Sequence, residues 1–541
     1  MTGLDVPLRP EQSAADGPGP AEGSTAALSP HLSQIVVLVP SDRVRAWVLR
    51  LVDALQQQSG LPTKMLRAPW VARSRPAIPS EGLERHLLGV GAPGHTDWVT
   101  TAGLDAAEGV RWSDTLLVNA TERDDRTFPP ALRQSVILSP MFHGARGAEG
   151  VVRPLLSSET LHLGVVLSVR GASRLLQGVG VATPERAIMG RALHLVFGRT
   201  ITLVQGAVEH VLSGRRLPDP IAPPAPRADA AGLEFWWGLT GAGLPRVKRL
   251  LQKPWVRHDW WCIGVRRLQR ECAPVDLDLE PATFRILDAG PDRFYADPFL
   301  LRHDGVTAVF FEDYDYRLGR AAISYLVLDE DGRPGSPAEA LSRPYHLSYP
   351  FVFVHDGVVL MVPETSENRT MELYEARSFP NDWRLRTVLM ENVDASDTTL
   401  HFDSHAGLWW MLSAVSEFGS SSHDTLSIFY AERLEGPWRP HAGNPVKFAP
   451  GCSRPAGPLL SWNGRLFRPT QDCTHTYGGG LVWCEIKRLT PDMFCEEPVA
   501  RQQPGRGFTG LHHYGRAAGF EVVDFKRDRS RLSADGRRLS S

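Results

Sequence analysis

The chain has 541 residues, in which 59 Lys and Arg stand against 61 Asp and Glu. This length exceeds one ordinary domain and predicts two folded units. The balanced charge argues against nucleic acid as a partner, and six cysteines without a CxxC pair argue against a disulfide framework or a cysteine metal site.

Residues 1–30 are rich in Pro, Gly, Ala and Ser and lack an apolar core, so we expect a disordered tail and not a signal peptide. The sequence also lacks an apolar run of about 18 residues, the length that a membrane-spanning helix needs. These features predict a cytoplasmic protein, with a peripheral membrane contact as the alternative.

Residues 31–214 alternate apolar strand patterns with amphipathic helix patterns, which predicts an open α/β domain of Rossmann-like type. QIVVLVP is a buried-strand run, and Ser41 is placed to cap a helix over DRVRAWVLRLVDALQQQ. TKMLRAP, DTLLVNAT, QSVILSP and TLHLGVVLSVRGAS predict further strands, and a long helical pattern ends at Gly214. Because no GxGxxG or P-loop motif follows the first strand, we predict no cofactor.

Residues 215–255 are predicted to be a linker and a short helix. Residues 215–231, RRLPDPIAPPAPRADAA, form a Pro- and Ala-rich stretch and mark the clearest domain boundary. The segment that follows combines aromatic residues with a short basic helix. We expect it to pack against one of the two domains, and a membrane surface is the alternative.

Five segments of the C-terminal half run from an apolar strand through a turn glycine into a second apolar strand. The glycines are Gly305, Gly357, Gly407, Gly464 and Gly519. Their spacings of 52, 50, 57 and 55 residues leave room for one four-stranded blade each, and three turns are Asp-Gly or Asn-Gly, which two-residue hairpins favour. We predict a five-bladed β-propeller over residues 256–526, closed by a strand at 520–525 that pairs with one at 262–268, and a disordered tail over 527–541.

The hairpin register predicts a ring of polar residues at one mouth of the propeller. The residue eight before each turn glycine faces the residue seven after it, at the hairpin end remote from the turn. These positions hold Asp297, Tyr349, Thr399 and Ala456 before the turns, and Glu312, Glu364, Ala414 and Gln471 after them. Nearby polar residues are Asp397, Arg454, Arg468 and Asp472. Carboxylates, an amide and guanidinium groups around a depression indicate a sugar site; the alternative is that they only cap strand ends.

Six motifs that occur in order carry a family resemblance: ADPF, SYPFVF with PET after it, ELYEARSFPNDW, SIFYAERLEGPW, SRPAG, and RPTQDC followed by YG. In these motifs the propeller segment resembles the N-terminal region of glucosamine inositolphosphorylceramide transferases and their bacterial relatives. The resemblance implies a site that contains Asp297, Glu312, Glu364, Asp397, Arg454, Arg468, Gln471, Asp472, Tyr477 and His512.

The ADPF motif also resembles the first-blade motif of five-bladed glycosidases such as family-43 arabinanases and levansucrases. That likeness implies Asp297 as base or nucleophile and Glu364 as acid, with Asp397 tuning their ionisation. The plant transferases carry their sugar-nucleotide transferase module C-terminal to the propeller, so their activity is not assumed for this chain.

The first domain resembles the Rossmann-like half of methionyl-tRNA and sugar formyltransferases in its strand order and in the placement of LLVNAT. The Asn-x-His motif of those enzymes is missing, and only the isolated His143 remains, so a donor-binding or structural role is favoured over formyl transfer. A second pattern, His401, Asp403 and His405, could bind a metal, but an inner-strand polar ladder is the favoured interpretation and no metal is predicted.

Together these features predict a carbohydrate-active enzyme of glycoconjugate or polysaccharide assembly. It would consist of an α/β formyltransferase-like domain and an all-β five-bladed propeller whose mouth binds a sugar or sugar nucleotide, with a lipid-linked acceptor as one option. The alternatives are a non-catalytic glycan-binding scaffold, a family-43-like glycoside hydrolase and a sugar formyltransferase.

Overall fold

The computed structural model describes residues 32–71, 94–107, 110–156, 159–183, 189–223 and 256–530. The predictions for residues 1–30, for the short helix before residue 256 and for the final residues 531–541 therefore lie outside the described residues. Within the described ranges, no helix combines the length and the apolar character needed to cross a membrane.

An α/β unit comes first along the chain. Its elements are β1 (Gln34–Val39), β2 (Arg43–Arg45), α1 (Trp47–Ser59), β3 (Thr63–Arg67), β4 (Trp98–Thr100), β5 (Thr115–Asn119), β6 (Val136–Phe142), α2 (Val152–Leu156), β7 (Leu161–Val169), β8 (Ala172–Val181) and α3 (Met189–Ser213). The main sheet has the order β3-β1-β5-β6-β7-β8, and β2 pairs separately with β4. Leu51 of α1, Val118 of β5 and Leu193 of α3 share one buried apolar cluster, which holds the helices on the sheet.

The sheet of this unit is mixed, and the sequence patterns did not specify the direction of its last two strands. The β3, β1, β5 and β6 strands are parallel, but β7 runs antiparallel to β6 and β8 antiparallel to β7. The two-residue turn at Arg170 and Gly171, with φ of 50° and 84°, accounts for the direction of β8, because a tight turn can join only antiparallel strands. A formyltransferase-like identity for this unit stays an interpretation.

The two predicted ends of helices in this unit have different outcomes. The long helix α3 ends at Gly214 as expected, where a φ of 71° lets the N–H of Gly214 donate to His210 O at 2.9 Å. The prediction that Ser41 caps the first helix is wrong, because β2 intervenes and α1 begins only at Trp47. Ser41 Oγ instead donates to Ala68 O at 2.8 Å.

Five sheets arranged as the blades of a β-propeller follow. Blade 5 combines β9 (Val256–Arg267) and β10 (Arg285–Leu287) with the last two strands of the chain. Blade 1 has β11 (Arg293–His303), β12 (Val306–Asp315), β13 (Arg320–Leu328) and β14 (Ala338–Leu341). Blade 2 has β15 (Ser348–His355), β16 (Val358–Thr365), β17 (Thr370–Ser378) and β18 (Asp382–Glu391).

Blade 3 has β19 (Ala395–Asp403), β20 (Leu408–Val415), β21 (Thr425–Ala431), β22 (Arg439–Pro440) and β23 (Lys447–Phe448). Blade 4 has β24 (Leu460–Trp462), β25 (Arg465–Gln471), β26 (Leu481–Leu489) and β27 (Phe494–Gln502), and blade 5 ends with β28 (Tyr514–Ala517) and β29 (Phe520–Ser530). Short 3₁₀ turns lie at Trp112–Asp114, Asp125–Thr127, Leu132–Gln134, Ala148–Val151, Pro274–Asp276, Pro281–Thr283 and Ser366–Asn368.

The predicted closure of the propeller is confirmed. The last strand, β29, pairs antiparallel with β9, and Val522 lies opposite Val265 in that ladder. The two ends of the propeller segment thus share blade 5, which removes two open strand edges. The predicted tail begins too early, because the ladder continues to Ser530 opposite Val256 and includes Arg529 opposite Arg257.

Candidate functional site

Three blades place a polar or aromatic side chain in a strained backbone conformation at the start of the innermost strand. Asp297, Tyr349 and Asp397 have φ of 51°, 44° and 53°, which non-glycine residues seldom adopt. In each case the ladder register shifts at this residue, so that an extra residue bulges from the inner strand. Strained bulges of this kind re-aim side chains and are typical of functional sites.

The register in blades 3 and 4 differs from the prediction made from the turn glycines. Blade 3 brings Asp397 to the bulge and not Thr399, because its turn contains four residues, 404–407, where the other hairpins have two. Thr399 lies deeper in the propeller, with its Oγ1 2.8 Å from the Tyr349 hydroxyl. In blade 4 the residue beside Gln471 is Arg454, whose carbonyl accepts the Gln471 N–H at 2.9 Å, and not Ala456.

A cluster of carboxyl groups occupies the mouth. It contains Asp297, Glu312, Asp397 and Asp524, which are buried, and Glu364, which is partly exposed. Burial raises the pKa of Asp297 well above its usual range, and repulsion from Asp397 and Glu312 adds to the rise. Burial likewise raises the pKa of Glu312, and Glu364 exerts the strongest repulsion on it. Desolvation and mutual repulsion therefore favour protonated carboxyl groups at Asp297 and Glu312.

Glu364 is fixed by hydrogen bonds from blades 2 and 3. Its carboxylate accepts the Asp397 N–H at 3.1 Å and the Ser366 hydroxyl at 2.7 Å, and Arg454 Nη2 lies 3.9 Å away. These contacts fix the orientation of the Glu364 carboxyl group. The side chain keeps 10% of its surface exposed, so it can still reach a ligand in the mouth.

Asp397 is held by a guanidinium and an amide from blade 4. Arg454 donates from Nε at 2.6 Å and from Nη2 at 3.3 Å, and Gln471 Nε2 donates at 2.7 Å. Burial raises the pKa of Asp397 to about 6, and the charge of Arg454 opposes the rise. The bidentate contact makes Asp397 a rigid acceptor and keeps Arg454 at the centre of the mouth.

Blade 5 contributes a histidine and an aspartate that bind the blade 1 aspartate. Asp524 accepts the N–H groups of His512 at 3.0 Å, His513 at 2.9 Å and Asp297 at 3.1 Å, and its Oδ2 lies 2.6 Å from His512 Nδ1. The His512 ring stacks on Trp261 with 3.7 Å between centroids. Asp524 and Trp261 were not predicted, although an Asp inside the apolar strand FEVVDF was a signal for a buried polar role.

Tyr477 lies between the histidines of blades 3 and 5, as its inclusion in the site predicted. Its ring stacks on His423 at 4.9 Å and meets the edge of His512 at 5.1 Å. Arg454 Nη1 donates to His423 Nδ1 at 3.0 Å, and its guanidinium lies 5.2 Å from the Tyr477 ring. Burial lowers the pKa of His423 well below its usual range, which keeps this ring a neutral acceptor. His423 was not predicted.

The structure does not bring Arg468 and Asp472 into this cluster. Arg468 is fully buried in blade 4, where it contacts Glu496 at 2.5 and 2.9 Å and donates to two backbone carbonyls. Gln471 lies three positions further along β25, an odd step, so the two side chains point to opposite faces of the strand. Asp472 accepts from Arg501 at 2.9 Å and from the Thr474 N–H. Both residues stabilise blade 4 and its loop.

Among the described residues, one group has the composition of a metal site. Asp297, His512 and Asp524 each offer a ligand atom, and these atoms lie within 4.8 Å of one another. Two carboxylates and an imidazole suit several divalent cations, so this group fits a metal although none was predicted. The pattern His401, Asp403 and His405 does not form such a group in the described part of the chain, because Asp403 Oδ1 caps its own turn by accepting the His405 N–H.

Comparison with known proteins confirms the family resemblance of the propeller segment. Residues 283–507 match the family model described as glucosamine inositolphosphorylceramide transferase 1, N-terminal. The transferase of that name from Oryza sativa subsp. japonica is 32% identical over 300 residues, which are 52% of this chain and 40% of that protein. The one from Arabidopsis thaliana is 32% identical over 214 residues, which are 39% of this chain and 28% of that protein.

The chain thus spans less than half the length of the curated relatives it matches. All three curated relatives found are plant proteins, so the expected bacterial relatives are not among them.

Solved structures with similar folds are glycoside hydrolases. A family 117 enzyme from Zobellia galactanivorans is 12% identical with a TM-score of 0.32, and the match covers 50% of this chain and 91% of that chain. The α-L-arabinanase of Cellvibrio cellulosa is 14% identical with a TM-score of 0.32, and the match covers 46% and 95% of the two chains. At these values the likeness carries no conclusion about chemistry.

Proposed function

We propose that the mouth of the propeller binds a glycosyl group and takes part in its transfer during glycoconjugate or polysaccharide assembly. The observation that carries the proposal is the cluster of five carboxyl groups, four of them buried and the Glu364 group partly exposed. In this cluster the protonated form is favoured at Asp297 and Glu312, while donors surround Glu364 and Asp397. In most glycosidases, two carboxyl groups whose environments separate their proton affinities act as acid and as base or nucleophile.

The surroundings of the two central carboxyl groups suggest their roles. The protonated form of Asp297 is favoured, so we assign Asp297 as the general acid. The Glu364 carboxyl group accepts the Asp397 N–H and the Ser366 hydroxyl, and we assign it as the base or nucleophile. This order reverses the roles that the likeness to family-43 glycosidases implied. Asp397, fixed by Arg454, tunes the ionisation of Asp297.

The substrate class follows from the relatives. The relatives are named glucosamine inositolphosphorylceramide transferase 1. By analogy, the donor here is a sugar or sugar nucleotide and the acceptor is lipid-linked. Tyr477, which is partly exposed, packs on the buried rings of Trp261 and His512, and its ring suits the apolar face of a sugar.

Two substitutions test the proposal. Asp297→Asn removes the proton-carrying group with little change of shape, so we expect turnover to fall by about 100-fold or more. His143→Ala is the control, because His143 lies in the α/β unit with its Nε2 3.8 Å from Glu159 Oε2. Both variants are screened against sugar nucleotides and free sugars by thermal shift and by product formation.

Loss of activity in His143→Ala with full activity in Asp297→Asn would move the chemistry to the α/β unit and replace this proposal with formyl transfer. Sugar binding without turnover in the wild-type protein, retained after Asp297→Asn, would identify a glycan-binding scaffold.

A further inference from the structure

A second concave site lies between the α/β unit and the rim of the mouth. This cleft has a volume of about 790 Å³, within the usual range for small-molecule sites. One wall consists of α1, β8, α3 and the residues just after α3, and the other is the rim of blades 2 and 3, residues 390–394 and 415–419, with part of 444–448. Since β19 begins and β20 ends at this rim, the cleft opens beside the strands that carry Asp397.

The two walls are joined by a buried ion pair, so the cleft is a fixed feature. Arg199 of α3 is fully buried and donates to Asp424 at 2.7 Å and to Ser421 O at 2.6 Å. The Ala182 N–H donates to the same aspartate at 2.9 Å. Asp394 lines the cleft, and burial raises its pKa. The charges of Arg369, in the cleft, and of Arg454, in the mouth, oppose this rise. The cleft and the mouth are therefore close enough for their charges to interact.

Three residues that line the cleft carry buried polar atoms without partners. Gln177 is 2% exposed and Thr202 is 6% exposed, and among the described residues neither Gln177 Oε1 nor Thr202 Oγ1 has a hydrogen-bond partner. Arg215 Nε also lacks a hydrogen-bond partner among the described residues. Leaving such groups unpaired is costly, so their arrangement around one cavity indicates a polar ligand.

The charges of the lining residues indicate that this ligand is neutral. Three guanidinium groups face three carboxyl groups: Arg50, Arg215 and Arg369, and Glu391, Asp394 and Glu417. A pyrophosphate would need an excess of positive charge, which the cleft lacks. The rest of the lining provides amides and aromatic rings: Gln177, Gln205, Asn392, Phe418, Phe429 and Phe448. Amides bind hydroxyl groups, and aromatic rings pack on the apolar faces of sugars.

We infer that this cleft binds a neutral oligosaccharide, as the subsite for the sugar units that precede the one in the mouth. Its role as a subsite rests on the proposed function of the mouth, whereas binding in the cleft can be measured independently.

A bulky substitution on the cleft wall tests the inference in the full chain. Gln205→Trp fills the cleft from α3, and Gln57→Trp is the matched control, since Gln57 is exposed on α1 and does not line the cleft. Thr202→Val removes a hydroxyl with little change of shape. The probes are the neutral trisaccharides maltotriose, mannotriose and N,N′,N″-triacetylchitotriose, with glucose and UDP-glucose for comparison, and affinity is measured by calorimetry.

We expect at least one trisaccharide to bind the wild-type protein. Gln205→Trp should weaken the affinity for that trisaccharide about tenfold or more, and Thr202→Val about threefold. Gln57→Trp should leave the affinity unchanged. Absence of trisaccharide binding, or binding insensitive to Gln205→Trp, overturns the inference. If Gln205→Trp weakens the binding of UDP-glucose and not that of the trisaccharides, the inference that the ligand is neutral is wrong. If Asp297→Asn leaves turnover intact while Gln205→Trp still blocks trisaccharides, the mouth proposal fails and the cleft stands.

Discussion

At the scale of single residues, the carboxyl cluster of the mouth opposes folding at neutral pH. The pKa of Asp297 is raised by burial and by repulsion from its neighbours, so the folded protein holds this proton more tightly than the unfolded chain does. The stability that this carboxyl group contributes is complete below its unfolded pKa and is lost as the pH rises through its folded pKa. Catalytic sites commonly carry such a cost.

We therefore predict that Asp297→Asn stabilises the protein at pH 8 by about 0.5–2 kcal/mol, and that the gain shrinks as the pH falls towards 4. Urea unfolding at several pH values measures the difference. Asp304→Asn is the control, because Asp304 lies in an exposed turn. A stability difference that does not change with pH would contradict the electrostatic explanation.

The contact between Arg454 and Asp397 makes a separate prediction. The charge of Arg454 opposes the rise that burial causes in the pKa of Asp397, which lies at about 6. Arg454→Gln removes that charge, so the pKa of Asp397 should move higher and the acidic limb of the pH–activity profile should shift to higher pH. Arg501→Gln, which breaks the contact with Asp472, should leave the profile in place.

At the scale of elements, α3 joins the α/β unit to blade 3 through close backbone contact. A Cβ at Gly198 would lie 2.6 Å from Phe418 O and 2.9 Å from Ser420 N, whereas a Cβ at Gly206 would meet nothing closer than 3.5 Å. Both glycines are inside the same helix, so helix propensity acts equally on both.

We predict that Gly198→Ala destabilises the protein by about 1–3 kcal/mol, because neither backbone can move away without separating the two units. Gly206→Ala should be neutral or stabilising by up to about 1 kcal/mol. Thermal unfolding of the two variants side by side measures the difference. Equal melting temperatures would show that the contact between α3 and blade 3 adapts to the added methyl group without loss of stability.

At the scale of the whole molecule, the closure of the propeller connects the two ends of its segment. Strand β29 supplies the ladder partner for β9 and also carries Asp524, which holds the backbone of Asp297. Loss of β29 would expose β9 and remove one side of the acidic cluster at the same time.

We predict that a chain ending at residue 515 is insoluble or loses cooperative unfolding, whereas a chain ending at residue 530 keeps the melting temperature of the full chain. Circular dichroism melts of both chains provide the measurement. A soluble 515-residue chain with an unchanged melting temperature would show that closure by β29 is dispensable.

Local features of the sequence were sufficient to predict the repeats, the hairpin turns and the closing strands. Asp304 with Gly305, and Asn463 with Gly464, adopt positive φ in two-residue turns, a preference set by the residues themselves. The end of α3 at Gly214 has the same local origin. The polar mouth could also be predicted, because alternation along a strand and the pairing of hairpins follow from short-range geometry.

Only the tertiary structure decided which side chains meet in the mouth. A turn two residues longer placed Asp397 where counting had placed Thr399, and alternation directed Arg468 away from the site. Asp524 lies 227 residues from Asp297 along the chain, and no local pattern encodes such a contact. The spacing within a hairpin is set by residues that are neighbours in sequence. Contacts between blades depend instead on the twist and closure of the whole ring, and every loop between two blades affects their relative position.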